Sequence, residues 1–535
     1  MGAAGVTETA PASPQRQGGG LSRAAGVFGS MTLVSRVAGF LRDWLQAVTF
    51  GTGPAVSAFV VAYRIPNYLR RIFAEGSFAS AFVPVLSELR EKGDDAAVQD
   101  FIDHIAGALF ATVVVVTALG WLASPWIARL FLVFASGTNS IPVELTAEML
   151  RITFPYLTFI SMTALAGGVL NSFRQFGLPA FTPVLHNLGV IVAMLTLAGV
   201  LDVPEKALAW GVCAAGLAQW MLLWPAMRRL GLRTRLRLNF RHEGVRKVFR
   251  LMLPTLFSSS VSQFNLLVGT MAASLLVGSA QSWLYYSDRL IEVPLGLFGV
   301  AIGTVILPHL AARFADQDAT GYARSLDWGM RSVLLVGVPA GLGLALLAVP
   351  ICATLFTYGR FTADDAAMSA VAIRCMAVGV PAFMLSKVLL AAFYARQDTR
   401  TPMRVAITTV MANIVFTAAL VAPLWFAGAR AAHGGIALAT ALAGVLNAVL
   451  LVQALRARGI LQPEPGWLRF LTQMALGALL MVGLLWLETG WLGDWTAWSA
   501  WRRVATLVGV VGSGMLAYAA GLLLGGWRFR DWKAH

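Results

Sequence analysis

Charged side chains are scarce in this chain: Asp, Glu, Lys and Arg make up 13% of its 535 residues, about half of the roughly 25% usual in soluble proteins. So small a complement excludes a water-soluble enzyme of several domains. The 58% apolar content excludes a long disordered chain, which needs low hydrophobicity. Cysteine is scarcer still. Cys213, Cys352 and Cys375 fall in apolar runs, their number is odd and no CxxC occurs, so neither a disulfide framework nor a zinc site is indicated. The six histidines (His104, His186, His242, His309, His433, His535) never cluster along the chain and HExxH is absent, so no metal is expected. Nor is a signal peptide visible. Residues 1–22, rich in Gly, Pro, Gln and Ser, read as a disordered cytoplasmic tail, and the first apolar segment is long and contains Arg36.

What is abundant is long apolar sequence, with a mean hydropathy of +0.71. Fourteen spans of about 20 residues, with connections, would consume a chain of this length. Apolar windows lie near 24–50, 55–87, 105–133, 145–172, 180–200 and 206–227. They resume near 251–277, 283–312, 332–357, 366–395, 402–425, 433–455, 467–489 and 499–526. The expected fold class is therefore an all-α integral membrane protein of fourteen helices, the long 55–87 segment being a candidate broken helix.

The net charge of +15 would suggest nucleic acid in a soluble chain, but here Lys and Arg hold cytoplasmic loops in place. Trp527, Arg528, Phe529 and Arg530 read as an interfacial anchor, and no nucleic-acid partner is expected. Most of the 41 Lys and Arg residues fall in the tails and the even-numbered connections, which places both termini in the cytoplasm. The 228–250 connection holds nine basic residues against one acid, Glu243. It reads as a solvated topogenic loop rather than a lipid-headgroup site.

That loop also divides the chain into similar halves. Leu122-Ala123-x-Pro125-x-x-Ala128-x-Leu130-Phe131 recurs as Leu347-Ala348-x-Pro350-x-x-Ala353-x-Leu355-Phe356. Pro84 recurs as Pro308, and Phe173 with Thr182-Pro183 recurs as Phe393 with Thr401-Pro402. Matches in one order at nearly one shift suggest a six-plus-six duplication in the same orientation, the arrangement of transporters with parallel repeats. The implied parts are an N-terminal lobe (23–228), a basic linker (229–250), a C-terminal lobe (251–458), and two final spans with a tail (459–535).

A charge in the bilayer core costs at least about 2.5–3.5 kcal/mol, so it normally faces a cavity or a partner. Three spans concentrate such residues. The first carries Ser35, Arg36, Arg42 and Asp43; the second Arg64, Arg70, Arg71 and Glu75; the eighth Asp288, Arg289 and Glu292 after Tyr285 and Tyr286. Arg36 and Arg42 lie about 120° apart around a helix with Gly39 midway, a notch between two guanidinium arms. Asp43, one heptad after Arg36, is placed to orient it, and Arg289 and Glu292 are close enough to pair. With Arg374 and Lys387, eight cations face four acids. Arginine is the preferred bidentate partner of phosphate, so a pyrophosphate would neutralise the surplus. Blander roles also fit: Arg70 and Arg71 as topogenic residues, Arg64 as an interfacial anchor, Arg374 snorkelling, and Lys387 in either part.

Ser35-Arg36-Val37-x-Gly39-Phe40-x-Arg42-Asp43 and Pro66-Asn67-x-Leu69-Arg70-Arg71-Ile72-Phe73-Ala74-Glu75-Gly76 with Phe82-Val83-Pro84 resemble the MurJ (MviN) family of lipid II flippases. So do Tyr285-Tyr286-x-Asp288-Arg289-Leu290-x-Glu292-x-Pro294, Asp327-Trp328-Gly329, Gly359-x-Phe361-Thr362 and Phe393-Tyr394-x-Arg396-Gln397-Asp398. The resemblance runs from about residue 22 to 530. It implies the multidrug and oligosaccharidyl-lipid exporter fold, two six-helix lobes about a central cavity, and two last helices grooved for a polyprenyl tail. It also implies a bacterial inner-membrane transporter, not an enzyme, whose cargo is lipid II, the undecaprenyl-pyrophosphate disaccharide-pentapeptide of peptidoglycan. Membrane lipids and the cell-wall synthesis machinery would be its neighbours, and a monomer its form.

The family's important arginines correspond to Arg36, Arg42, Arg70 and Arg289. An acid that some relatives carry at the start of the second span is Ser57 here. Relatives that bind sodium use an acid on the seventh helix, but 251–277 and 402–425 contain no Asp or Glu, Asn265 and Asn413 being the nearest polar residues. No cofactor or sodium site is therefore expected, and membrane potential is the expected drive. Another polyprenyl-linked glycan is the alternative cargo. A drug-cation exporter would carry an acidic cavity, and a glycosyltransferase or scaffold a larger loop.

Overall fold

The computed structural model describes residues 18–73, 77–135, 140–232, 234–462 and 464–528, without the side chains of 18–28, 72, 77, 80, 253–265, 300, 301 and 304. Among the described residues it is helical throughout, with no strand. The first half comprises α1 (Gly18–Phe50), α2 (Pro54–Phe73), α3 (Ser77–Glu91), α4 (Asp95–Phe131), α5 (Val143–Thr153), α6 (Pro155–Ser172), α7 (Gly177–Leu197) and α8 (Lys206–Arg229). The second comprises α9 (Glu243–Ser274), α10 (Ala280–Pro294), α11 (Val300–Ala315), α12 (Ala319–Leu346), α13 (Ala348–Phe356), α14 (Ala363–Ala377), α15 (Val380–Ala395), α16 (Arg400–Phe426) and α17 (His433–Ala457). Then come α18 (Trp467–Leu492) and α19 (Ala500–Leu524).

Local chemistry sets several boundaries. The Asp94 carboxylate accepts from the Ala97 amide (3.0 Å) to open α4, and Asp318 does the same for α12 through Gly321 (2.8 Å). Thr362 and Asp365 form a reciprocal capping box at α14. Proline, which removes a backbone donor, coincides with some of the breaks, while Pro66, Pro125, Pro183 and Pro339 lie inside continuous helices. Pro155 separates α5 from α6, and Pro294 precedes a π-helical turn, Leu295–Gly299, between α10 and α11. The α14–α15 pair bends by 45° just before Pro381.

Among the described residues eight single helices and the α5–α6 pair, or ten spans with the bent α14–α15 pair, are long and apolar enough to cross a membrane. This is fewer than the fourteen expected. Outside that count, α2 carries Arg64, Arg70 and Arg71, and α10, only 15 residues long, carries Asp288, Arg289 and Glu292. Large apolar side chains remain exposed on α18 and α19, among them Leu479, Trp486, Val508 and Leu516, as lipid-facing surfaces require.

Two expected boundaries move. α1 begins at Gly18, so the end of the tail 1–22 is helical, while residues 1–17 lie outside the description. α9 begins at Glu243, so the linker between helices is shorter than 229–250. Nor is that linker simply solvated. The amide of Arg235 donates to Asp103 Oδ1 (2.8 Å) and that of Arg237 to the Asp103 carbonyl (3.2 Å). A Cβ at Gly107 would collide with the Arg237 backbone. The linker thus lies along α4. Val245, Val248 and Met252 of α9 continue into the core formed by Phe78, Phe82 and Phe101.

Candidate functional site: a charged seam between the halves

α1 and α2 of the first half meet α10 of the second along a polar seam. At its centre Asp43 of α1 is buried. Its Oδ1 accepts from Arg42 (2.7 Å) and from the Tyr285 hydroxyl (2.8 Å), while its Oδ2 pairs with Arg289 Nε (3.2 Å). Arg42 also donates to Asn187 Oδ1 of α7 (3.0 Å). Arg289 bonds to Glu292 one turn on (3.0 Å), and its guanidinium lies 5.0 Å from the Tyr285 ring centroid. One carboxylate therefore holds cations from both halves.

Beside it, Arg64 of α2 is half-buried against the second half. It donates to the Thr270 hydroxyl (2.7 Å) and lies 4.0 Å from Asp288. The Gln281 side-chain oxygen accepts from both of its terminal nitrogens (2.5 and 2.9 Å) in the amide orientation that satisfies both partners. Arg64 is thus not an interfacial anchor. Three cations, Arg42, Arg64 and Arg289, stand with three acids, Asp43, Asp288 and Glu292, and the centre of the seam is formally neutral. The positive surplus read from the sequence sits elsewhere.

The other sequence candidates spread along one direction. Asp43 is committed to Arg42 and Arg289 instead of orienting Arg36, which is exposed and lies against Gly296 of the π turn, where a Cβ would strike its guanidinium. The notch at Gly39 is filled by Asn187, whose Nδ2 would be 3.5 Å from a Cβ and donates to the Ser35 carbonyl (3.2 Å). In the last turn of α2, Arg70 is half-buried and bonded to Asn67 (3.0 Å), and Arg71 is exposed. Lys387 is exposed on α15, across from Gly303 of α11, and is not brought to the cluster. Glu75 lies outside the described residues.

At the opposite end the halves are interlocked mainly by uncharged contacts, with Asp365 and an Arg360–Glu205 ion pair (3.9 Å) as the charged ones. Gly51 (φ +68°) and Gly359 (φ +58°) lie in turns that press into each other: a Cβ at Gly51 would collide with the Arg360 carbonyl, and one at Gly359 with the Val48 carbonyl. The Arg360 amide donates to that same Val48 carbonyl (2.9 Å). The Tyr286 hydroxyl donates to the Gly51 carbonyl (3.2 Å), and the Ser57 and Ser282 hydroxyls are 2.7 Å apart and fully buried. Asp365, already in its capping box, also accepts from Trp283 Nε1 (3.0 Å) and from the Thr52 hydroxyl.

Sequence reasoning passed over Asn187, Thr270, Gln281, Thr52 and Asp365. Two signals were available: polar side chains in apolar spans must find partners, and Thr362-x-x-Asp365 is a capping-box spacing. The metal expectation also meets an exception. His104 and His242 stack in space, their ring centroids 4.6 Å apart, although they are remote in the chain.

Helices in two halves closing on a buried, charge-matched seam define a polytopic membrane protein of the transporter type. The fold is similar to that of a multidrug resistance MATE family transporter of the MOP superfamily in an inward-facing conformation. That match has a TM-score of 0.63 at 15% identity, covering 82% of this chain and 98% of the other. It is also similar to a lipid II flippase MurJ in an inward closed conformation, with a TM-score of 0.76 at 22% identity over 92% and 97% of the two chains. The family model described as lipid II flippase MurJ matches residues 46–506. A probable lipid II flippase MurJ of Vibrio cholerae is 40% identical over 514 residues, 95% of this chain and 97% of its own. A lipid II flippase MurJ of Burkholderia cenocepacia is 40% identical over 493 residues, 90% and 92% of the respective chains. The chain belongs to the MurJ lipid II flippase family.

Proposed function

We propose that this protein carries lipid II from the cytoplasmic to the outer leaflet of the bacterial inner membrane by alternating access. The observation that carries the mechanism is Asp43, one carboxylate shared by Arg42 of the first half and Arg289 of the second. A pyrophosphate offers the same bidentate chemistry with more charge. It would draw both arginines off Asp43 and remove the link between the halves, and its departure would restore that link. Arg36, Arg70 and Arg71 lie toward the more exposed end of the seam and would meet the anion first. With both termini cytoplasmic, as the basic loops favour, that end faces the cytoplasm and the Gly51–Gly359 interlock closes the outer end.

Fourteen spans arranged as a duplicated six-plus-six bundle suit this reading. Among the described residues the two halves break at one corresponding place, α5–α6 beside α14–α15. No covalent bond changes, so the protein acts as a transporter, working as a monomer. Membrane potential supplies about 2.3 kcal/mol per elementary charge per 100 mV, enough to bias two states close in energy.

The test uses bacteria depleted of their own lipid II flippase and expressing this chain or Arg289→Glu. Lipid II reaching the outer surface is measured by its cleavage with an added lipid II-degrading enzyme. The parent is expected to restore cleavage and the charge reversal to abolish it. Parental cleavage by Arg289→Glu would overturn the arginine mechanism, and no cleavage with a correctly inserted parent would overturn the cargo.

A further inference from the structure

Away from the seam, three potential metal ligands converge where the linker meets α4. Asp100 and His104 stand one turn apart on α4 and therefore share a face. His242 is the residue before α9. Asp100 Oδ2 is 3.3 Å from His104 Nδ1 and 3.2 Å from His242 Nε2. The two imidazoles stack with planes 13° apart, and one donor atom from each of the three residues falls within 4.8 Å of the others.

We propose that Asp100, His104 and His242 bind a divalent transition-metal ion, zinc being the natural probe, and that the ion fastens the linker between the halves to α4. The distances carry the inference. Tetrahedral zinc with bonds of about 2.0–2.1 Å to nitrogen and oxygen sets its ligands roughly 3.3 Å apart. Two of the three ligand-to-ligand edges already have that length. Closing the third requires one imidazole to rotate out of the stack so that both in-plane lone pairs meet at the ion. A metal on His104 Nδ1 would replace its hydrogen bond to the Asp100 carbonyl (2.9 Å). Two imidazoles and one carboxylate suit zinc, nickel or cobalt better than magnesium or calcium, which prefer all-oxygen shells. All three residues are half-buried, leaving room for water as a fourth ligand.

The surroundings hold the ligands in place independently of an ion. Arg237 approaches the other carboxylate oxygen, Oδ1, at 3.3 Å, orienting Asp100 with Oδ2 toward the imidazoles in the manner of an outer-shell partner. The backbone around Arg235 and Arg237 is bonded to Asp103. A Cβ at Gly244 would strike the Phe101 ring, so the start of α9 is seated directly on α4. An ion here would stiffen the only chain segment that joins the two halves. This inference stands on the site's geometry alone and does not depend on the cargo.

The full-length, tag-free protein, stripped with a chelator, would be titrated with zinc alone by calorimetry and its bound metal counted by elemental mass spectrometry. One zinc per chain and a raised thermal midpoint are expected, with affinity falling at least roughly tenfold in His104→Ala and in His242→Ala. His242→Cys, whose thiolate also ligates zinc, should retain binding, and this separates ligand loss from misfolding. Absence of stoichiometric binding by the parent, or parental affinity in both alanine variants, would overturn the site.

Discussion

The two ends of the seam between the halves are built from opposite materials. At one end Gly51, Gly359, Ser57, Ser282 and Tyr286 interlock through backbone groups and hydroxyls, joined by the Asp365 carboxylate and the Arg360–Glu205 pair. At the other, Arg36 and Arg71 are exposed. Between them the charges balance. The closed end is held by many short-range contacts, each modest alone and sensitive to fractions of an ångström. The exposed end keeps Arg36 and Arg71 open to solvent or to an anion. The proposed transport cycle uses this asymmetry, a closed end that can be broken and an exposed end that stays incompletely neutralised.

The comparison breaks most severely at the point the two ends share. Asp43→Ala would leave Arg42, Arg289 and the Tyr285 hydroxyl without their common acceptor. Breaking a buried pair by removing one partner costs about 3–5 kcal/mol, so a marked fall in thermal midpoint, together with loss of lipid II export, is expected. A midpoint within a degree of the parent would show that the carboxylate is not what joins the halves.

A smaller effect should separate the ends from each other. Gly359→Ala adds a methyl where φ is +58° and the Val48 carbonyl is in the way, at a cost of about 1–3 kcal/mol. It should loosen the closed end, so that a cysteine placed at Thr52 becomes reactive to a membrane-impermeant thiol reagent. Arg36→Ala, at the exposed end, should change stability by less than about 0.5 kcal/mol while reducing lipid II export. Equal effects of the two substitutions on both readouts would erase the distinction.

The smallest effect is on pH dependence near the exposed end. Glu88 of α3 bonds to Lys247 of α9 (2.6 Å) and to Lys92 (3.2 Å). Those hydrogen bonds and charges, Lys247 foremost, hold its carboxyl below the ordinary value of 4.5. A folded value below the unfolded one means that the contact's contribution is complete above pH 4.5 and fades as pH falls through the folded value. Unfolding midpoints recorded between neutral pH and about pH 3 should show a slightly shallower acid decline in Lys247→Met than in the parent. Identical slopes would mean that the α3–α9 contact does not depend on this pair.

Much of this arrangement was legible in the sequence because it is local or periodic. Apolar windows located most helices, although α4, α9 and α12 begin eight to thirteen residues before their windows, and Pro84 and Pro308 lie inside helices. Charges inside apolar windows pointed to Arg42, Asp43, Asp288, Arg289 and Glu292, and all of these lie on the seam. Their partners were not legible. Helical spacing paired Asp43 with Arg36 seven residues away, whereas the folded chain pairs it with its neighbour Arg42 and with Arg289 from the other half. Arg64 passed for an anchor because one-dimensional hydropathy places it near a span end, and only the approach of Thr270 and Gln281 encloses it.

The sequence by itself determined that the chain enters a membrane, roughly where its helices lie, and which spans carry charge. These follow from the transfer free energy of each segment, a property of composition and length that needs no neighbour. Tertiary structure alone decided that the central charges cancel, that one end of the seam is closed, and that His104 meets His242. Each of these depends on the relative placement of helices far apart in the chain, set by the packing of whole faces and by backbone approaches such as Gly107 on Arg237. No spacing along the sequence encodes such placements.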